Sequence, residues 1–223
     1  MKIPVQWKAI FWSNVGGFVG LFVGFEISVA WPPSFTKMFF VSLWAAFAIA
    51  LHLINHRGRS VIPRIERYDA RKIAWLLGIG VVGGMVTGLT GSGLDILTFA
   101  VLTLVFRLCE SVGTPTSVII MAFNAMLGFA IRGIRGELLP DAISYWWCAV
   151  PVVVVGAPLG AWYIKNKDRH FITRLLYASV VVQFVGALWI VPQSPATVAI
   201  IVCVISGGAA IFFLMNRLGT RLS

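Results

Sequence analysis

Long runs of apolar residues follow one another along almost the whole chain. A helix needs about 20 apolar residues to cross a bilayer, where every backbone polar group must be satisfied internally. The runs predict helical spans at roughly 9–31, 36–54, 72–90, 94–107, 114–133, 142–164, 173–191 and 195–216. Charged residues make up only 12% of the 223 residues, too few to cover a soluble domain. The sequence therefore predicts an all-α membrane protein with about eight transmembrane segments in a single domain, 1–223.

The short fourth run, 94–107, decides the predicted topology. If it crosses the membrane, fifteen of the 18 Lys and Arg lie on one side, and only Lys37, Arg132 and Arg135 lie opposite. If it does not cross, the split is ten to eight. The positive-inside rule favours the first arrangement, with both termini in the cytoplasm of an inner membrane and 55–72 as a basic cytoplasmic loop beside membrane lipid. Because the cations lie between apolar runs, the net charge of +10 does not indicate a nucleic-acid partner.

An internal repeat is indicated by the spacing of glycines. A shift of 136 positions places Gly20 and Gly24 on Gly156 and Gly160, so the first two spans resemble the sixth and seventh. Five crossings separate the two copies, and an odd number gives them opposite orientations, as in the inverted repeats of transporters. The prediction divides the chain into a partial first repeat, a second repeat, and a final helix with a cytoplasmic tail, with bounds of 1–54, 73–192 and 193–223.

A rival alignment stays open. Val15-Gly16-Gly17 also matches Val82-Gly83-Gly84, and glycine-rich membrane helices resemble one another for packing reasons alone. Gly80, Gly84 and Gly88 recur every four residues, which predicts a smooth stripe that another helix backbone can approach closely.

The stripe ends in a segment that predicts a broken helix. Gly88, Gly91 and Gly93 fall within six positions, and broken backbone at membrane depth is tolerated only inside the protein or beside a cavity. A short helix from Leu94 would direct its free N–H groups into that cavity, as discontinuous helices do toward anionic substrates. Ordinary helix capping is the alternative.

A second helix start is predicted about twenty residues later. Pro115 suits a first helical turn, and the hydroxyls of Thr114, Thr116 and Ser117 offer donors. Together the two starts would form a cradle for an oxyanion, again with simple capping as the alternative. Asn124, further along the same span, would line the pathway or bond to a neighbouring helix.

Acidic residues inside apolar runs are candidate functional residues, because a charge in the membrane is costly. Asp95 would repel an anion when ionised, so we expect it to couple transport to protons, or else to cap the short helix. Glu26 is a second candidate for coupling, although it lies near the end of its span, where it could reach the interface. The three cysteines have no metal-site spacing, and neither HExxH nor a nucleophile elbow is present. No enzyme activity, metal or cofactor is expected.

The stretch Val81–Asn124 resembles the sulfite exporter TauE/SafE family, also called toluene sulfonate uptake permeases. The resemblance rests on the loop Gly91-Ser92-Gly93 and on Ser111-Val112-Gly113-Thr114-Pro115-Thr116-Ser117. The resemblance implies a protein built from two repeats, each with its own glycine loop. Only one such loop is evident in this sequence. The resemblance therefore implies a chain that is short at its amino terminus. Three alternatives follow: the start is misplaced, the protein is a natural remnant, or two copies, as a homodimer, complete one another.

The resulting hypothesis is a permease for a small anion such as sulfite, an organosulfonate or a carboxylate. The predicted binding set is the backbone amides of Gly91 to Leu94 together with the hydroxyl and amide side chains of Ser92, Thr114, Thr116, Ser117 and Asn124. The alternative is a membrane scaffold that transports nothing and depends on a partner subunit.

Overall fold

The computed structural model of this protein describes residues 5–55, 62–164 and 169–222. Within these ranges the eight helices follow the predicted spans to within a few residues. They are α1 Trp7–Ala30, α2 Pro33–Asn55, α3 Ala70–Thr90, α4 Leu94–Ala100, α5 Glu110–Ile134, α6 Pro140–Ile164, α7 Arg169–Ile190 and α8 Pro195–Leu222. A five-residue π-helix, Val101–Val105, continues α4. Among the described residues, six helices are long and apolar enough to cross a membrane, and the shorter apolar stretches are Leu94–Val105 and Tyr177–Ile190.

Contacts between segment ends define two faces of the bundle. At the proximal face, where α1 begins, Arg107 Nε donates to the Gly219 carbonyl of α8 over 3.2 Å, and Ile62 N–H donates to the Arg107 carbonyl over 2.8 Å. At the distal face, where α1 ends, Arg135 of α5 lies 3.1 Å from the Glu26 carboxylate. The ends of the described chain therefore lie at the same face.

The fourth segment settles the predicted ambiguity in helix direction. The α3 helix runs from the proximal to the distal face, and α4 with its π-helix runs back, because Leu108 bridges to Ile62 beside the start of α3. The twelve residues Leu94–Val105 span only about 18 Å at 1.5 Å per residue, so this element begins inside the bundle. Helix directions then alternate through eight segments, as in the arrangement favoured by charge.

Close backbone packing of α1 against α3 confirms the predicted glycine stripe. A methyl group at Gly80 would lie 2.6 Å from the Ser13 carbonyl oxygen, and one at Gly88 would lie 2.6 Å from that of Leu21. One at Gly84 would overlap the Gly17 carbonyl. Two parallel helices can approach this closely only where side chains are missing from both surfaces. The likeness between Val15-Gly16-Gly17 and Val82-Gly83-Gly84 is thus explained by the packing of α1 against α3. The inverted repeat stays a prediction.

The predicted start of the fifth span was wrong by about one turn. The α5 helix begins at Glu110, directly after Cys109 in an extended conformation, so Pro115 lies inside the helix and not in its first turn. The chain must reverse direction at Arg107, whose φ is +55°, and the helix starts as soon as that turn is complete.

The loop before α3 packs beneath the bundle in the part that is described. Ile65 is buried, and Cys109 N–H donates to the Ile62 carbonyl over 3.0 Å. The rest of the predicted basic loop, 56–61, and the connection 165–168 lie outside the described residues.

Candidate functional site

A cavity of about 410 Å³ lies between α1, α5 and the end of α3. Its lining comes from three helices: Leu21 and Phe25 of α1, Thr87–Thr90 with Gly91 at the end of α3, and Asn124, Ala125, Gly128, Phe129 and Arg132 of α5. Because Phe25 and Arg132 lie near the helix ends that meet at Glu26 and Arg135, the cavity opens toward the distal face. Its volume is within the usual range for small-molecule sites.

The end of α3 through Gly91 forms one wall of this cavity, whereas Ser92, Gly93, Leu94 and Asp95 are not among its lining residues. Gly91 and Gly93 have φ values of +90° and +152°, which side-chain-bearing residues rarely adopt. A methyl group at Gly93 would also overlap Val86. Gly93 and Leu94 are buried, Ser92 is half-buried, and Gly91 is exposed and lines the cavity, so the break extends from the cavity into the protein.

The N–H groups of the broken segment already have protein acceptors. Gly91 N–H donates to the Thr87 carbonyl over 2.7 Å, and Leu94 N–H donates to Thr87 Oγ1 over 3.0 Å. Ser92 N–H has a longer bond of 3.4 Å to Thr90 Oγ1. Gly93 N–H donates to Asp95 Oδ1 over 3.1 Å. These bonds stabilise the break itself, so an anion would have to displace one of them to bind there.

Asp95 forms a local cap around the same turn. Its Oδ1 accepts both from Gly93 N–H and from Ser92 Oγ, the latter over 3.2 Å, while Ser92 Oγ also lies 3.8 Å from Met121 Sδ of α5. A carboxylate in the first helical turn also complements the helix dipole. This arrangement matches the capping alternative, and a role in proton coupling stays a prediction.

The hydroxyls predicted to line a second cradle are directed elsewhere. Thr116 Oγ1 and Ser117 Oγ donate to the Val112 and Thr114 carbonyls of their own helix, over 2.7 and 2.9 Å. Thr116 also accepts from Gln6 N–H near the proximal face, about two helical turns from the Asn124 position. The structure therefore does not bring these side chains to the cavity wall.

Asn124 is the predicted site residue that the structure places most clearly at the cavity. Only 1% of it is exposed, and neither Oδ1 nor Nδ2 has a hydrogen-bond partner among the described residues. A methyl group at Gly17 would lie 2.6 Å from Nδ2, so the absence of a side chain at Gly17 leaves room for the amide. A buried amide without partners costs roughly 1–3 kcal/mol per group, which a polar ligand can recover.

Two arginines, neither predicted as a binding residue, supply the positive charge. Arg132 lies at the cavity wall with its guanidinium carbon 4.5 Å from the centre of the Phe25 ring. Arg135, one turn further, forms an ion pair with Glu26, whose side chain is 71% exposed. The charge count had already singled out both arginines as rare cations on the minority side, which was the available signal.

Sequence comparison identifies the family of the chain. The family model described as sulfite exporter TauE/SafE matches residues 2–188. The chain belongs to the TauE/SafE family. The family is one of membrane transporters for sulfite or related anions. No curated protein and no solved structure matches the chain significantly.

The TauE/SafE match includes every element that lines the cavity. It extends from before α1 to near the end of α7 and stops before α8, Pro195–Leu222. The cavity, its broken helix and its two arginines thus belong to the family region of the chain.

Proposed function

We propose that this TauE/SafE protein carries a small oxyanion across the membrane through the cavity between α1, α3 and α5. The substrate is sulfite, an organosulfonate or a small carboxylate. The observation that carries the proposal is the unpartnered amide of Asn124 at the base of a cavity whose mouth holds Arg132.

Asn124 and Arg132 have complementary roles toward such an anion. The guanidinium attracts the charge toward the cavity and can hold two oxygens of one planar or pyramidal oxyanion. Deeper in the cavity, Nδ2 of the amide can donate to one oxygen of the anion. Because Oδ1 is an acceptor, it can accept a hydrogen bond from an anion that retains one proton, such as hydrogen sulfite or the monoanion of a dicarboxylic acid.

Proton coupling through Asp95 is part of this proposal. The carboxylate lies just behind the cavity wall, which ends at Gly91, and accepts hydrogen bonds from Ser92 Oγ and Gly93 N–H. Protonation of Asp95 would make its Oδ1 a weaker acceptor for the two hydrogen bonds that stabilise this turn. Proton uptake would thereby change the shape of the adjacent cavity wall. Glu26, at the distal rim, keeps its predicted role as a second coupling group.

The proposed location is the inner membrane, with the proximal face in the cytoplasm. Support comes from the fifteen-to-three division of Lys and Arg, since cationic loops remain on the cytoplasmic side. On this orientation the cavity opens away from the cytoplasm.

Flux of sulfite into proteoliposomes under a pH gradient tests the proposal. We expect saturable flux with the wild-type protein and at least about a tenfold loss with Arg132→Gln, which removes one charge-assisted contact. Arg71→Gln, at the proximal end of α3, is the matched control and should retain full flux. Flux equal to that of protein-free liposomes, for sulfite, methanesulfonate and acetate alike, would leave the scaffold as the better account.

That second candidate, a scaffold that needs a partner subunit, is favoured by one observation. No residue of Pro140–Gly160 in α6 is buried within the chain, which leaves a whole helix surface available to lipid or to a second protein. A homodimer stays a prediction on the same ground. The detergent-corrected mass of the purified protein distinguishes one copy from two.

A further inference from the structure

The cavity opens distally, and two layers of side chains close it toward the proximal face. The first layer, which we name the apolar plug, consists of Ile10, Leu94 and Ile120, which are 5%, 1% and 0% exposed and pack against one another. It lies directly below the cavity floor: Ile120 is one helical turn from Asn124, and Leu94 Cδ2 would lie 2.7 Å from a methyl group on Gly17, beside the Asn124 amide.

The second layer is a hydrogen-bonded group one further turn toward the proximal face. This polar latch joins Gln6, which precedes α1, to Tyr68 in the loop before α3 and to Thr116 of α5. Tyr68 Oη donates to Gln6 Oε1 over 3.0 Å, and Gln6 N–H donates to Thr116 Oγ1 over 3.1 Å. Gln6 and Thr116 are both buried.

The latch connects three separate segments through polar groups, whereas the plug side chains above it meet one another only by apolar contact. Thr116 Oγ1 satisfies its own donor within α5, at the Val112 carbonyl, so its lone pair serves Gln6 without leaving a donor unpaired. The Gln6–Thr116 bond would break if the start of α5 moved away from the start of α1, and the same movement would separate Ile120 from Ile10. The Tyr68–Gln6 bond would break if the start of α1 moved away from the loop before α3. The two layers are therefore arranged to open and close as a unit.

The plug is also attached to the cavity wall. Leu94 N–H donates to Thr87 Oγ1, and Thr87 lines the cavity. Thr87 in turn donates to the Gly83 carbonyl over 2.9 Å, so its hydroxyl fixes the first residue of α4 against α3. A change in the cavity wall at Thr87 is thus transmitted directly to a plug residue.

We propose that the apolar plug and the polar latch are the proximal gate of the transport pathway, and that the structure is its distal-open state. This inference rests on the proposed transport function. Release of substrate at the proximal face requires the Tyr68–Gln6 and Gln6–Thr116 bonds to break, so that Ile10 and Ile120 separate and Leu94 moves aside.

Cysteine accessibility at the plug tests the gate without any substrate. In a background with Cys109, Cys148 and Cys203 replaced by Ser, Ile120→Cys serves as the reporter. A membrane-impermeant thiol reagent is applied separately to the proximal and the distal face of oriented vesicles. We expect slow labelling in the parent, and Tyr68→Phe, which removes only the latch hydroxyl, should raise labelling from the proximal face by on the order of tenfold.

Tyr145→Phe is the matched control, since it removes a hydroxyl from a tyrosine of α6 that is 75% exposed. It should leave the labelling rate unchanged. Ser117→Cys provides a second reporter on α5 if Ile120→Cys does not fold. Equal rates for the Tyr68 and Tyr145 variants, or an increase confined to the distal face, would overturn the gate. So would an increase that appears only where Tyr68→Phe also unfolds the protein.

The same measurement separates failure of the gate from failure of the transport proposal. If Tyr68→Phe opens the proximal face but the protein moves no anion, the gate stands and the transport proposal falls. If anion flux is normal and labelling does not respond to Tyr68→Phe, the gate falls and the transport proposal stands.

Discussion

The helices α1, α3 and α5 differ sharply from α6 in what surrounds them. In the first group, backbone meets backbone at glycines, and a cavity with an unpaired amide lies between the helices. In α6, Gly156 and Gly160 have open space where a side chain would be added, and no residue of Pro140–Gly160 is buried. The same residue type therefore has a structural role in one region and little constraint in the other. Because α6 carries the same residue types in open surroundings, it supplies matched controls for the site.

The largest contrast concerns the glycines of the α1–α3 contact. Gly84→Val would force a side chain into the Gly17 backbone, and we expect it to lower the free energy of unfolding by about 3 kcal/mol or more, or to prevent folding. Gly156→Val meets nothing within 4 Å and should change it by less than about 0.5 kcal/mol. Thermal unfolding in detergent compares the two. Equal losses would show that glycine is required in both regions for a shared reason, such as backbone conformation.

The next contrast concerns two aspartates in the first turns of helices, Asp95 in α4 and Asp141 in α6. Asp95→Asn preserves an acceptor for Gly93 N–H and Ser92 Oγ, so anion binding should persist. If Asp95 couples protons, the several-fold increase of flux under an inward pH gradient should disappear. Asp141→Asn, in the exposed first turn of α6, should keep that increase. An Asp95→Asn protein whose flux still follows the pH gradient would restrict Asp95 to capping.

The smallest contrast concerns two tyrosines and appears only at high pH. Burial raises the pKa of Tyr68 from 10.0 to about 12, while the nearby positive charge of Arg64 lowers it by a smaller amount; Lys8 Nζ also lies 6.0 Å from the ring. Between these two pH values the unfolded chain releases the phenol proton first, so stability falls as pH rises through that window and is unaffected below it. Tyr68→Phe should flatten this decline, and Tyr145→Phe should leave it in place. A decline unchanged by Tyr68→Phe, measured as melting temperature against pH, would contradict a buried neutral phenol in the latch.

The sequence was sufficient for the helices and for the break at Gly91 and Gly93, because hydropathy and glycine spacing are local signals. The sequence also singled out Asn124, an amide within an apolar span, and the structure places this residue in the cavity lining, while its role toward an anion stays a prediction. The sequence was insufficient to predict where Thr114, Thr116 and Ser117 lie relative to the cavity. Their position relative to the cavity depends on where α5 begins, which is set by the turn at Arg107 and by the pairing of Ile62 with that turn.

Arg132 and the latch residues depend on contacts between distant parts of the chain. Arg132 faces the cavity because α5 packs beside Phe25 of α1, and Gln6 meets Thr116 across 110 positions of sequence. A hydropathy pattern predicts neither the packing of Arg132 beside Phe25 nor the bond between Gln6 and Thr116. The charge count grouped Arg132 with Lys37 and Arg135, but it could not identify the side chains that surround Arg132.

The most direct test of the account measures anion-dependent stabilisation of two amide variants. Sulfite at 100 times its dissociation constant should stabilise the wild-type protein by about 2.7 kcal/mol. Asn124→Leu removes the amide at the cavity floor and should weaken binding by about 10- to 100-fold, so that the stabilisation at the same concentration falls to roughly 1.4 to 0.4 kcal/mol. Asn14→Leu, a change of the same kind in α1 outside the cavity lining, should retain it. Full stabilisation of Asn124→Leu by sulfite, or equal loss in both variants, would contradict the assignment of this cavity as the anion site.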